Sequence, residues 1–178
     1  MPVNKKLKVF ILSDTHGWLD PAIVPHLQQA DAVWHAGDLG PGVWPQLQQH
    51  SRVLHAVYGN IDDHQLRDTL PEYEIFEAAG LRVLLIHIAG SMPRYNRQVL
   101  ELISRHRPGM LVCGHSHILK VAPDKTHNLL YVNPGAAGNQ GFHKVRTCLQ
   151  LEISQGKPHQ MQVIELGSRG RANAHYPV

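Results

Sequence analysis

Leu7-Lys8-Val9-Phe10-Ile11-Leu12-Ser13-Asp14-Thr15-His16-Gly17 decides the fold. Val9 to Leu12 is unbroken apolar sequence, the mark of a strand buried on both faces, and such strands belong to parallel sheets covered on each side. It ends abruptly in Asp-Thr-His-Gly. The same phrase recurs downstream. Ala32–Ala36 runs into Gly37-Asp38, and Arg52–Val57 runs into Gly59-Asn60 with Asp62 close behind. Helical stretches separate these strands: Pro21 to about Gln29 behind Asp20, Val43–Gln49, and Asp62–Thr69 with two carboxylates opening its first turn.

The remaining chain changes character. Tyr73–Ala78 and Leu81–Ile88 read as a hairpin around Gly80, followed by a helix over Arg94–His106 that Pro108 stops. Gly109–Cys113, Leu119–Ala122 and Leu129–Val132 are short strands. Val145–Ile153 and Gln160–Leu166 form a last antiparallel pair. Parallel βαβ units first and antiparallel strands later predict a single α/β domain over residues 1–178, with two mixed sheets packed together and helices outside. The segment 167–178 reads as a mobile tail or an association element, and with the final strands it offers an edge for a homo-oligomer.

Composition narrows the function. The 178 residues are 43% hydrophobic and 17% charged, an ordinary globular balance. No apolar run approaches the roughly 18 residues of a membrane helix, and Val9–Leu12, followed at once by Ser13 and Asp14, does not read as a signal-peptide core. Cys113 and Cys148 lie in apolar strands and read as free buried thiols of a reducing, cytoplasmic compartment. The net charge of +3 comes from scattered Lys and Arg, so nucleic acid is expected only as a substrate. The unusual figure is 14 histidines against 14 acids.

Five strand ends carry the chemistry: Asp14 and His16; Asp38; Asn60; His87 after Val83–Ile86; and Gly114-His115-Ser116-His117 after Met110–Cys113. In an open α/β sheet these ends face one crevice. Two carboxylates, one amide oxygen and four imidazoles can serve two metal ions if one carboxylate bridges, and Asp38, on a tight Gly-Asp turn mid-set, is the natural bridge. Asp14/His16 and His115/His117 stand at i and i+2, which in extended chain aims both members at one face. Four imidazoles disfavour Ca and Mg and leave Mn, Fe, Zn, Co or Ni. Asp62 is expected to orient a histidine behind the site.

The order D-x-H, G-D, G-N-x-D, H, G-H-x-H and then N-P-G (Asn133 to Gly135) resembles the calcineurin-like metallophosphoesterases, particularly their small single-domain bacterial and archaeal branch. The resemblance covers Leu7 to Gly135. It implies a four-layer α/β/β/α sandwich and a dinuclear centre. Asp14, His16, Asp38 and His117 would hold one metal, and Asp38, Asn60, His87 and His115 the other, with manganese the expected ion. It further implies hydrolysis of phosphodiesters, with phosphomonoesters as a second substrate class, by a hydroxide bridging the two ions. Asp38, Asn60, His87 and His115 would carry the catalysis.

Departures from the wider pattern matter. Larger members have His after the G-N pair as proton donor to the leaving group; this chain has Ile61, so good leaving groups should be favoured. Gly often follows the fourth-motif His directly, whereas Ile88 and Ala89 precede Gly90 here, and Ala136 replaces the Ser or Thr that usually follows N-P-G. Arg94 and Tyr95 are candidate substrate contacts on the rim. Asn133 to Gly135 should buttress the site. Among the other histidines, His26, His50, His106, His127, His159 and His175 read as surface, His35 and His55 as core, and His64 and His143 as loop residues within reach of the pocket. The rival reading is a catalytically weak protein-binding scaffold of the same fold, as in a eukaryotic subunit of the retromer sorting complex. Such a scaffold can shed ligating residues, and none of the seven is substituted here.

Overall fold

In β1 (Leu7–Leu12), Val9 and Ile11 face one apolar layer while Phe10 and Leu12 face another, so a single strand feeds two cores. A computed structural model describes residues 6–170. After β1 come a 3-10 turn (Pro21–Ile23), α1 (Val24–Gln29), β2 (Ala32–His35), α2 (Val43–His50), β3 (Leu54–Ala56) and α3 (His64–Thr69). Then follow β4 (Tyr73–Ala78), β5 (Leu81–Ile86), β6 (Gly90–Ser91), β7 (Arg94–Tyr95), α4 (Arg97–His106) and β8 (Met110–Val112). β9 (Leu119–Asp124), β10 (Leu129–Pro134), β11 (Val145–Ser154) and β12 (Lys157–Ser168) complete the order.

The strands form two five-stranded sheets, ordered β12-β11-β1-β2-β3 and β4-β5-β8-β10-β9. β1, β2 and β3 run parallel, as do β5, β8 and β10; β11 is antiparallel to β1. Val9, Ile11, Trp34, Val83, Leu85, Met110 and Val112 fill the space between the sheets. Phe10, Leu12, Val33, Leu27 and Leu47 pack α1 and α2 on the outside of the first sheet. Leu84, Ile86 and Leu111 pack against Val99, Leu102 and Ile103 of α4 on the outside of the second. Helix, sheet, sheet, helix is the expected four-layer sandwich. Val9–Leu12, Val83–Ile86 and Met110–Val112 are buried on both faces of their sheets, and each large apolar side chain so placed contributes about 1.5–3 kcal/mol. Among the described residues, no helix is long and apolar enough to cross a membrane. Both cysteines are buried and free.

Two helix starts differ from the sequence expectation. Asp63 lies outside α3 as its N-cap, accepting the Leu66 amide at 3.0 Å, and the helix opens at His64. A carboxylate before the first turn satisfies an orphan amide there, which favours the cap over an interior place. Arg94 and Tyr95 are not helical either. They pair with Gly90 and Ser91 in a small hairpin, and α4 begins after Asn96, whose Oδ1 caps the Val99 amide at 2.9 Å. Gly167 and Ser168 belong to β12, so the proposed tail is partly strand; residues 171–178 lie outside the described residues.

Tyr95 is consequently a packing residue and not a substrate contact. It is buried, lies 6.2 Å from Tyr131 in a stacked pair, and its hydroxyl donates to Asp124 at 2.8 Å. Asp124 also accepts from His127 Nδ1 at 2.8 Å and from the Thr126 amide at 2.9 Å. His127 is therefore half-buried and engaged, contrary to its surface reading. Burial works against the Asp124 charge, but the His127 and Tyr95 hydrogen bonds outweigh it and hold its pKa below the usual carboxylate range. A depressed carboxylate contributes stability above its unfolded pKa, near 4, and loses it as pH falls through the folded value. Asp124→Asn should therefore lower the urea midpoint at pH 6, with the gap from wild type closing as the pH falls below about 4; a pH-independent gap would contradict this.

Candidate metal centre

Parallel strands of both sheets point their carboxyl ends at one edge, and the candidate residues sit just past those ends. Asp14, His16, Asp38, His115 and His117 all have positive φ, between 49° and 68°. The extended-chain argument for the i, i+2 pairs is thus corrected: left-handed turns redirect these side chains after the strand has ended. Each such turn costs a non-glycine residue on the order of 1 kcal/mol or more. Cross-loop hydrogen bonds impose it. The Asp14 amide donates to Gly37 O (3.0 Å), His16 N to Asp38 O (3.1 Å), and Gly138 N to Asp14 O (3.0 Å). Gly59 permits a close approach, since a Cβ there would overlap the Asp38 carboxylate.

Two groups result. In one, ligand atoms of Asp14, His16 and His117 lie within 4.8 Å of one another; in the other, those of Asp38, His87 and His115 do. Asp14 is fully buried. Its Oδ2 accepts the His115 amide at 3.1 Å. Its Oδ1 has no hydrogen bond, although His117 Nε2 stands 3.1 Å away and His16 Nε2 3.9 Å. A buried carboxylate oxygen left facing two imidazole nitrogens is a costly arrangement that a cation completes.

The second group repeats this logic. His87 Nδ1 lies 2.7 Å from Ala36 O, a carbonyl that only accepts, so Nδ1 carries a proton. Its Nε2 then faces Asp38 Oδ2 at 3.2 Å and Asn60 Oδ1 at 3.1 Å. Asn60 Oδ1 also stands 2.9 Å from His115 Nδ1. Asp38 Oδ1 is taken by the Ile61 amide at 3.0 Å, which frees Oδ2; that atom is also 3.8 Å from His16 Nε2 and so lies between the groups. Burial opposes charge on both Asp38 and His87. Their mutual hydrogen bond outweighs it, lowering the carboxyl and raising the imidazole. Nitrogen and oxygen donors without thiolate fit Mn, Fe, Zn, Co or Ni.

Asp62 does not orient a histidine. Its buried carboxylate accepts three backbone amides: Gly59 at 2.8 Å, Gly40 at 2.8 Å and Leu39 at 3.2 Å. It clamps the loop bearing Asp38 to the loop bearing Asn60. The histidine deep behind the site is His35, with Thr15 Oγ1 at 3.0 Å from Nε2 and the Gly37 amide donating to Nδ1. Burial drops its pKa to about 3, so it stays neutral. Asn133 buttresses the His115–His117 turn, donating to Gly114 O at 2.9 Å and Ser116 Oγ at 3.1 Å. His143 Nδ1 reaches His117 Nδ1 at 3.3 Å, while His64, at the start of α3, is exposed.

The rim differs from expectation. A cavity of about 380 Å³ opens beside Asn60 and His87, walled by Tyr58, Arg67, Ile88 and Gln98. Arg94 is exposed on β7 and does not line it. The guanidinium there belongs to Arg67, which sequence reasoning missed. It donates to Asp62 O (2.7 Å) and Asn60 O (2.9 Å) and lies over the Tyr58 ring at 5.2 Å. Its place on the helix that follows the Asn60 loop was the available signal.

The model of the calcineurin-like phosphoesterase superfamily domain matches residues 7–156, and the chain belongs to that family. A probable metallophosphoesterase of Mycoplasma pneumoniae is 28% identical over 157 residues, spanning 84% of this chain and 92% of that protein. Among solved structures, an archaeal phosphodiesterase superposes with a TM-score of 0.68 at 22% identity, covering 90% of this chain and all of that one. Vps29 of Entamoeba histolytica complexed with zinc gives 0.66 at 20% identity, covering 89% and 99%. At such identities these two likenesses concern the fold.

Asp62→Asn should cost about 2 kcal/mol, because an amide cannot accept all three backbone donors. The same change should weaken metal binding about tenfold or more by loosening the Asp38 and Asn60 loops. Urea unfolding and metal titration check both; unchanged binding would remove Asp62 from the support of the centre.

Proposed function

We propose that this protein is a metal-dependent phosphoesterase acting on phosphodiesters, with phosphomonoesters as poorer substrates. The observation that carries the reading is the pair of His/Asp groups sharing one strand edge, with the unpartnered Asp14 Oδ1 in one and Asp38 Oδ2 reaching toward both. Family membership supports it. Asp14, His16, Asp38 and His117 would hold one ion, and Asp38, Asn60, His87 and His115 the other. Bound there, two divalent ions would supply Lewis acidity toward the phosphoryl oxygens and acidify a water toward hydroxide near neutral pH.

The chain's own groups do the rest. Asp14 and Asp38 bring two negative charges against four positive, so the loaded site stays cationic and favours a phosphate anion. Asn60 turns its Oδ1 to His87 and His115, which leaves its Nδ2 as a donor for a phosphoryl oxygen. Arg67 holds the Asn60 carbonyl and fixes that loop. Ile61 supplies no proton to the leaving group, so alcohols of low pKa should be released fastest. The 380 Å³ cavity gives the second ester arm of a diester a place beside Asn60. A protein-binding scaffold of this fold has no need of these seven side chains, and here all seven converge. The fitting ion is Mn, with Zn, Fe, Ni or Co able to take the same donors.

Chelator-stripped protein should hydrolyse bis-p-nitrophenyl phosphate only after Mn is restored, faster than p-nitrophenyl phosphate. Asp38→Asn should lower kcat about 100-fold or more, since ligand loss exceeds the 10–100-fold cost of losing a supporting residue. Protein that binds metal yet turns over neither ester would favour the scaffold.

A further inference from the structure

His143 stands outside the seven candidate ligands, yet both of its nitrogens are engaged at the site. Nε2 lies 3.0 Å from Gly138 O. A carbonyl only accepts, so Nε2 carries the proton and neutral His143 has a lone pair on Nδ1. That lone pair faces His117 Nδ1 at 3.3 Å, which must then be the donor. With its proton on Nδ1, His117 keeps a lone pair on Nε2, the atom 3.1 Å from Asp14 Oδ1 and 3.3 Å from His16 Nε2. Each link in the sequence has one direction.

The loop is built around this contact. Gly138 is pinned to the end of the first strand by its amide on Asp14 O at 3.0 Å. At Gly141, φ is +124°, and a Cβ there would overlap the His117 ring and lie 3.2 Å from His143 Nδ1. The backbone therefore closes over the gap between the two rings, and a side chain at 141 would part them. His143 itself is half-buried.

We propose that His143 is a positioning residue for the metal held by Asp14, His16 and His117: it accepts the Nδ1–H of His117 and so presents the His117 Nε2 lone pair to the ion. This rests on the metal-centre reading above. A ligating imidazole whose second nitrogen is hydrogen-bonded is oriented and made more basic, and losing such a partner typically costs 10–100-fold in affinity.

The test is calorimetric titration of metal-free full-length protein with zinc alone, for wild type and for His143→Ala, His143→Gln and His143→Asn, each checked for folding by circular dichroism. The Ala and Gln variants should weaken one of two zinc sites about 10–100-fold and leave the other unchanged. Gln reaches Gly138 but cannot accept at the Nδ1 position; Asn places its Oδ1 there and should restore most of the affinity. In zinc-loaded protein with ¹⁵N-labelled histidine, a coupling across the hydrogen bond should join His117 Nδ1 to His143 Nδ1. Two wild-type sites with no change in His143→Ala and His143→Gln, or a missing coupling, would overturn the assignment while sparing the metal centre. Wild type that binds no zinc would overturn both.

Discussion

One buried carboxylate joins the ligand-bearing loops of the two sheets. Asp14 leaves the end of β1, its Oδ2 fastens the His115 amide beyond β8, and its Oδ1 is left without a donor. That single side chain ties a loop of one sheet to a loop of the other and sets the spacing of both histidine groups. A buried, unpaired carboxylate oxygen is expensive in a metal-free protein, as are the left-handed backbone of Asp14 itself and of four non-glycine residues around it. The apolar layers on both faces of β1, β5 and β8 offset these costs, and the strain concentrates where the ligands must point. The arrangement makes sense as a socket for cations, which would satisfy the unpartnered Asp14 oxygen.

Three of the supporting residues share a pattern: Asp62, Asn133 and Arg67 act largely through backbone. Asp62 collects three amides, Asn133 holds the Gly114 carbonyl, and Arg67 grips the carbonyls of Asn60 and Asp62. Loops fixed in this way can present side chains with the precision that a metal site requires. The site is thus rigid on its inner side. It opens toward the cavity beside Tyr58 and Ile88.

Much of this is legible in the sequence, for a physical reason. Strands covered on both sides must be apolar throughout, so Val9–Leu12, Val83–Ile86 and Met110–Cys113 announce themselves, and polar residues directly after them stand out. Two packed sheets with helices outside, and the gathering of polar strand ends at one edge, follow from those runs; the four-layer sandwich comes from the family resemblance. What stays hidden depends on partners distant in the chain. Asp62 reads like a histidine's partner, yet three amides from two loops claim it. Tyr95 reads as rim, yet Asp124, 29 residues on, draws its hydroxyl into the second sheet's outer core. Arg67 carries no motif at all, and His143 reads only as a loop residue within reach of the pocket, its partner His117 lying 26 residues away. The left-handed turns are invisible because Asp and His tolerate φ > 0 without glycine's signature.

The central claim is that this strand edge holds two cations shared through Asp38. Anomalous scattering from crystals grown with Mn tests it most directly. Two peaks about 3.5–4 Å apart, one among Asp14, His16 and His117 and one among Asn60, His87 and His115, with Asp38 between them, are the predicted result. A single peak, or peaks away from Asp38, would contradict it.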